Sequence, residues 1–464
     1  MIRKLIRRVF RRGDEKKPAG ARSPDAAVIP LARHGISRQH VSSGARRTCE
    51  TLQQGGYHAY IVGGAVRDLI AGITPKDYDV ATNATPEQVR SLFRRSRIIG
   101  RRFQIVHVMQ GSETLEVSTF RAAHDDETIK DEHGRVLRDN VWGNMAEDAA
   151  RRDFTVNALY YDPSTENVHD YHHGVADLKQ KTLRMIGDPA TRYREDPVRM
   201  LRAVRLSAKL GLTLDPAVRE PIRAMAELIE NVPAARLFDE MLKLLFSGHA
   251  VECVKRLRDD GLHHGLLPLL DVIIEQPQGE KFVMLALTST DVRVREGKPV
   301  SPGYLFATLL WHEVLGNWEA RKLRGETPMP ALYESMDEVL EIQGEKLAIT
   351  RRIAGDIKDI WSLQPRFEKR VGKSVYRLLE QPRFRAGYDF FVLRGESGEI
   401  DAELPQWWDE FQRADGPGRE ALIATAAAVG EAPAKKRRRR SGKRKVANGG
   451  AGAVPSVPTF EGDS

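Results

Sequence analysis

Tyr60-Ile-Val-Gly63-Gly64-Ala-Val66-Arg67-Asp68 is followed nine residues later by Asp77-Tyr78-Asp79. The first run is an apolar strand pattern that ends in a glycine pair and opens a helix. Backbone N–H groups at such a helix start suit phosphate oxygens. The second run carries two carboxylates two residues apart in a strand-like context. Side chains alternate faces along a strand, so Asp77 and Asp79 are expected to share one face. Two carboxylates on one face repel unless a cation lies between them. A divalent metal beside a phosphate-binding turn points to nucleotide chemistry.

Outward from this stretch, short strands alternate with helices. The pattern predicts a strand over 57–62, a turn at Gly63-Gly64, a helix over 65–71 and a strand over 78–81. Thr85-Pro86-Glu87-Gln88 reads as a helix start, with Thr85 as N-cap, Pro86 at the first position and Gln88 closing a capping box. Strands over 104–109 and 114–119 form a hairpin around Gln110-Gly111-Ser112. Together these give a small mixed sheet with helices, its acids on one face. Beyond about residue 185 strand signals fade, and Leu-, Ala-, Arg- and Glu-rich segments predict an all-helical second half. No internal repeat is evident.

The chain of 464 residues is long enough for two to four domains. It has no apolar run of transmembrane length. Cys49 and Cys253 give neither a disulfide framework nor a zinc pattern, which fits a reducing cytoplasm. The net charge of +9 is unevenly spread. Residues 1–22 carry nine Lys/Arg against two acids, and residues 435–445 carry nine Lys/Arg and no acid, so the body between them is mildly acidic. Two basic ends on an acidic body suit capture of a polyanion. Ile2, Leu5, Ile6, Val9 and Phe10 form a helical apolar stripe among arginines. It reads as a basic amphipathic leader for a membrane surface, a protein or RNA, or as a frayed end, and not as a secretory signal. Residues 13–30 read as a linker, and residues 430–464 as disordered low-complexity sequence.

Nucleotidyl transfer needs metal-binding carboxylates, a triphosphate cradle and an aligned 3′ hydroxyl. Asp77 and Asp79 supply the first. Glu116, whose neighbours Leu115 and Val117 face the other side of its strand, is the candidate third acid. Gly63, Gly64 and Arg67 form the cradle, with a guanidinium fork one turn into the helix. In Arg151-Arg152-Asp153-Phe154-Thr155-Val156-Asn157-Ala158 the arginines neutralise triphosphate charge, and Asp153 and Asn157 reach ribose hydroxyls. In Glu195-Asp196-Pro197-Val198-Arg199-Met200-Leu201-Arg202-Ala203-Val204-Arg205, the arginines at 199, 202 and 205 form a slanting stripe. Flanked by Glu195 and Asp196, that stripe offers donors and acceptors to a base edge.

These four motifs, in this order over about residues 57–211, resemble those of the class II nucleotidyltransferases. That family holds bacterial poly(A) polymerases and CCA-adding tRNA nucleotidyltransferases. The resemblance implies an α+β polymerase-β-like head with a helical neck and body. It implies Mg²⁺ on Asp77 and Asp79 in a two-metal site, and triphosphate contacts from Gly64, Arg67 and Arg152. It implies a ribose and active-site role for Asp153, and nucleotide recognition by Glu195, Asp196, Arg199, Arg202 and Arg205. Asp170-Tyr-His-His-Gly174-Val-Ala-Asp177-Leu178 resembles the family's flexible motif between head and neck. The expected division is a basic leader and linker over 1–44, the head over 45–184, the neck over 185–250, an RNA-binding body over 251–429 and a basic tail over 430–464.

The branch is read from Ile98-Ile99-Gly100-Arg101-Arg102-Phe103-Gln104-Ile105-Val106-His107-Val108, which resembles the poly(A) polymerases. The tail residues Lys435, Lys436, Arg437, Arg438, Arg439, Arg440, Lys443, Arg444 and Lys445, with Arg101 and Arg102, suit sequence-blind RNA binding. Nine such charges imply a log–log salt slope of up to about −6 on single-stranded RNA. The expected activity is therefore template-independent addition of AMP from ATP to RNA 3′ ends by a cytoplasmic, monomeric enzyme. A CCA-adding enzyme and a non-catalytic RNA-binding scaffold are the alternatives. His124-Asp125 and His169-Asp170 lie in the head rather than beyond residue 195, so a phosphohydrolase domain is not supported. His172-His173 and His263-His264 lack further ligands at metal spacing. Trp407-Trp408 reads as helix packing.

Overall fold

The computed structural model describes residues 25–100, 104–122, 141–263 and 277–430. The basic leader, Arg101, Arg102, the His124-Asp125 pair, His264 and the basic tail fall outside the described residues.

Eight strands form one sheet: β1 Ala27–Ile29, β2 Ala59–Val62, β3 Asp79–Thr82, β4 Ser96–Ile99, β5 Ile105–Gln110, β6 Glu113–Thr119, β7 Leu159–Asp162 and β8 Asn167–Asp170. Their order is β1-β8-β7-β2-β3-β6-β5-β4. All neighbours are antiparallel except β3 and β6, which run parallel. The crossover between those two carries the helix Pro86–Leu92 and the strands β4 and β5. The expected capping box starts that helix: Thr85 Oγ1 accepts from the Gln88 amide, and Gln88 Oε1 accepts from the Thr85 amide.

The sheet is larger than the sequence reading predicts. β1 lies in the stretch read as linker, and its pairing with β8 brings residues assigned to the leader and linker into the sheet. Three residues at a sheet edge carry too little periodicity to stand out. A two-residue strand, β10 Thr213–Leu214, pairs in parallel with β9 Thr182–Leu183, so strand structure does not end at residue 185. β3 begins at Asp79, one residue later than expected, and Asp77 precedes it.

Alternation along the strands separates two packed faces. Val80, Val106, Val108, Leu115 and Val117 pack with Val66, Val89 and the buried stripe of the helix Ser43–Gln54. On the opposite face Val62, Ala81, Phe120 and Tyr160 pack with Ala149 and Ile186. The helical half begins with Pro189–Glu195 and Val198–Leu210. Its core is continuous with the sheet-bearing half, because Phe154 and Val156 join the cluster that holds Leu201, Val204, Trp311 and Trp361. A further cluster around Phe367, Phe391 and Trp408 closes the C-terminal helices. There Trp408 Nε1 donates to the Phe367 carbonyl at 2.7 Å, and Trp407 stacks on Phe411. Among the described residues no helix is long and apolar enough to cross a membrane.

The capping box gives a direct check on the Pro86–Leu92 helix. Thr85→Ala removes the acceptor for the Gln88 amide and should cost about 1 kcal/mol, read as a lower urea midpoint with unchanged slope.

Candidate active site

The site is a cleft of about 1130 Å³ between the sheet-bearing half and the first helices of the helical half. One wall carries Gly63, Gly64, Arg67, Asp77, Asp79, Arg152, Asp153 and Asn157. The facing wall carries Asp196, Arg199, Arg202, Arg205, Lys209, Arg236, Glu240 and Lys243. Ten cationic and seven acidic side chains line the whole cleft, an excess of three positive charges that favours a polyanion.

Local chemistry explains the glycine turn. Gly63 has φ +74° and ψ −127°, a conformation that side-chain-bearing residues avoid. Its carbonyl accepts from the Arg67 amide and starts the helix Gly64–Ile70. A Cβ at Gly63 would stand 3.3 Å from Arg152 Nη1, and one at Gly64 3.4 Å from Arg67 Nη2. The two guanidinium groups therefore stand directly over the glycine backbone.

Both arginines are held in place. Arg67 is buried, donating to Asp68 at 2.6 and 2.8 Å and to Asn157 Oδ1 at 2.5 Å. Arg152 donates to Asp148 at 3.0 Å and to the Tyr160 hydroxyl, which itself donates to Asp148 at 2.7 Å. Burial would raise the Asp148 carboxyl, but Arg152 and Tyr160 outweigh it and hold the group below its ordinary value.

Asp77 and Asp79 both line the cleft, although Asp77 precedes β3 and strand alternation therefore does not place it. The parallel register sets Asp79 beside Glu116, and both are exposed. The Asp79 side chain reaches solvent, but the protein packed around its carboxyl still desolvates it. Burial, then Glu116, then Asp77 push its carboxyl up to about 6 against the pull of Arg152. Glu116 does not line the cleft; it stands 3.5 Å from His107, its partner across β5. Among the described residues, no group of three or more His, Cys, Asp and Glu side chains is arranged to hold a metal ion. Asp77 and Asp79 are a pair, and a pair fits Mg²⁺, which typically takes one or two carboxylates and completes its shell with water and substrate phosphates.

The arginine stripe is present but is not free. Val198, Leu201 and Val204 of the helix Val198–Leu210 are buried, which turns Arg199, Arg202 and Arg205 to the cleft. Each meets an acid from another element or an earlier turn: Arg199 meets Glu195 at 2.9 Å, Arg202 meets Asp153 at 2.6 Å and Arg205 meets Glu240 at 2.7 Å. Glu195 lies off the cleft and braces Arg192 and Arg199. Asp196 accepts from Arg236 through Oδ2, while its buried Oδ1 has no hydrogen-bond partner. Asp153 accepts from Asn157, Arg202 and the Phe154 amide. Burial opposes its ionisation, yet Arg202 and these bonds hold its carboxyl down at about 2.

Comparison with known proteins places this cleft. The chain is 44% identical to poly(A) polymerase I of Haemophilus influenzae over 91% of its own length and 96% of that protein's. It is 42% identical to poly(A) polymerase I of Escherichia coli O6:H1, over 96% of its length and 98% of that protein's. The chain belongs to the poly(A) polymerase I family of polynucleotide adenylyltransferases. The poly A polymerase head domain matches residues 59–184, the probable RNA- and SrmB-binding site of polymerase A matches 211–274, and the polymerase A arginine-rich C-terminus matches 324–445. A CCA-adding enzyme from Lactobacillus helveticus is 36% identical over only 46% of the chain and 52% of its own length. The crystal structure of the Bacillus stearothermophilus CCA-adding enzyme with CTP shares the fold, with a TM-score of 0.51 at 24% identity over 83% of this chain and 82% of that one.

Several residues in or behind the cleft escape the sequence reading. Asp148 and Tyr160 hold Arg152, Arg192 binds the Arg151 and Arg152 carbonyls at 2.6 and 2.7 Å, and Lys209 reaches Asp68 at 2.8 Å. Lys209 follows Arg205 at i+4 and so extends the cationic side of that helix, a usable signal. Arg236, Glu240 and Lys243 come from another helix, Ala234–Leu245, and carry no local mark.

The Asp153–Arg202 pair gives a prediction with a pH signature. The folded pKa of Asp153 lies below its ordinary 3.8, so its contribution is present above that value and is lost as pH falls through about 2. Arg202→Ala strands the carboxylate and should cost roughly 2–3 kcal/mol at neutral pH. Urea denaturation should show that cost shrinking as Asp153 becomes protonated in acid.

Proposed function

We propose that this chain extends RNA 3′ ends with AMP from ATP, without a template, in the cleft between its two halves. The observation that carries the reading is the junction of a glycine turn, two arginines and a carboxylate pair in a single cationic cleft. Family membership fixes adenylyl transfer as the reaction class. The RNA 3′ hydroxyl attacks the α-phosphate of ATP; a P–O bond forms, the bond to pyrophosphate breaks, and the hydroxyl proton is lost.

Each wall has a task. Backbone amides after Gly63, together with Arg67 and Arg152, orient the triphosphate. Arg67 and Arg152 are already anchored, so little reorganisation is needed when substrate enters. Asp153 and Asn157 stand where ribose hydroxyls can be held, with Arg202 keeping Asp153 ionised. Asp196 Oδ1, an acceptor lacking a partner, suits the exocyclic amino group of adenine, and Arg199 lies beside it as a donor. Asp77 and Asp79 would hold Mg²⁺, which would supply neutralisation of the triphosphate and of charge developing in transfer. Glu116 strengthens the negative field behind Asp79. Two buried free thiols, Cys49 and Cys253, fit a cytoplasmic enzyme.

The poly(A) reading is favoured over CCA addition because the poly(A) polymerase relatives match nearly the whole chain, whereas the CCA-adding relative matches less than half. Incubating the protein with Mg²⁺, each NTP in turn, a generic RNA and a tRNA lacking its 3′ CCA separates the readings. Long adenylate tracts on generic RNA are expected; addition confined to a few nucleotides on tRNA would overturn the reading. Asp79→Asn should lower extension roughly 10²–10³-fold while RNA binding persists. The raised Asp79 pKa gives a second test. Below about pH 6 the carboxyl holds a proton that a cation must displace, so the Mg²⁺ concentration for half-maximal extension should rise as pH falls through 6.

A further inference from the structure

The sheet face that carries Asp79 is covered on one side only. Toward β2 and β7 it is closed by Val62, Tyr160, Ala149 and Ile186. Toward β6, β5 and β4, among the described residues, no such cluster covers it. Register places Asp79, Glu116, His107 and Arg97 in one cross-strand row. Residues paired across a sheet share a face, so this row runs outward from the carboxylates for about 14 Å, three strand spacings. Glu116 and Arg97 are exposed, His107 is half-buried, and Met109 on the same face of β5 is 39% exposed. Arg94, Arg95 and Arg97, on or just before β4, all reach solvent, and none makes an ion pair among the described residues. The cleft arginines behave differently: Arg199, Arg202 and Arg205 are each matched by an acid. Guanidinium groups with no acid opposite them among the described residues suit an external polyanion.

In-line displacement fixes which polyanion. Entering and leaving oxygens lie on opposite sides of the reacting phosphorus. The Gly63-Gly64 turn, where the proposed triphosphate sits, follows β2 on one side of Asp79. The entering hydroxyl therefore arrives from the other side, over β6. We propose that the uncovered face of β4, β5 and β6 seats the 3′-terminal nucleotides of the RNA substrate. His107 offers a ring for a base near the 3′ end to stack on, and Met109 adds apolar contact. Arg97 pairs with a phosphate upstream of it, and Arg94 and Arg95 extend the track. Phosphate contacts and ring stacking carry no base identity, so a seat that holds RNA through them is indifferent to sequence, as extension of a growing tract requires.

This inference rests on the adenylyltransferase reading, and one experiment tells their failures apart. Extension rates are measured against RNA at saturating ATP, and against ATP at saturating RNA, for wild type, Arg97→Ala, His107→Ala and His107→Phe. If wild type extends no RNA, the functional reading itself falls. If it does, His107→Ala should raise KM for RNA roughly fivefold or more and His107→Phe should restore it, with KM for ATP unchanged in both. Arg97→Ala should lower the log–log salt slope of RNA binding by about 0.7. Unchanged KM for RNA in all three variants would overturn the proposal and leave that face to another segment of the chain. A photoreactive thiouridine at the RNA 3′ terminus supplies a readout independent of variant folding. Crosslinks within β4–β6 support the seat, and crosslinks confined to the helical half sink it.

Discussion

Two ion pairs across the cleft hold the whole arrangement in register. Asp153 meets Arg202 at 2.6 Å, and Asp68 meets Lys209 at 2.8 Å. Both cations sit on the helix Val198–Leu210, and both acids belong to the sheet-bearing half. The apolar side of that helix is locked into the core that Phe154 and Val156 enter. Packing thus sets the helix position and rotation, and the ion pairs tie it to the sheet-bearing half. Pairs of this kind add little net stability compared with apolar replacements, but losing one partner leaves a stranded charge. Their contribution is to specify one geometry for the cleft.

That geometry sorts charge by task. Arg67, Arg152, Arg199, Arg202 and Arg205 are each tied to acids or carbonyls before substrate arrives. Asp79 is the opposite case, a carboxylate crowded by Glu116 and Asp77 and by burial. Crowded acids lower their energy by taking up a cation, and anchored cations lower theirs by meeting phosphate. A metal–triphosphate complex would answer both demands at once. Among the described residues, the strands beyond Asp79 would leave room for the second substrate on the side that in-line chemistry requires.

Legibility in the sequence followed the range of the interactions. The glycine turn, the Thr85 capping box and the β5–β6 hairpin are local, and their residues announce them. The amphipathic stripe of Val198–Leu210 is equally plain, because periodicity within one helix fixes which side is buried. β1 and β10 were hidden, since two- or three-residue strands exist only through their partners. The acids that match Arg202 and Arg205 were hidden for the same reason: Asp153 and Glu240 lie 49 and 35 residues away. Glu116 was placed correctly beside Asp79 by alternation, yet its turn toward His107 rather than the cleft depends on a strand that the alternation of β6 does not describe.

The sequence by itself determined the chemistry: residue types, their spacing within elements, and so the family and the carboxylate pair. These depend on backbone periodicity and on turn-forming glycines, which act over a few residues. Tertiary structure alone decided that the arginine stripe is pre-paired, that Asp196 keeps one oxygen unclaimed, and that, among the described residues, one side of the sheet bearing Asp79 has no cover. Those properties arise from surfaces brought together across long stretches of chain, where neither periodicity nor propensity carries information.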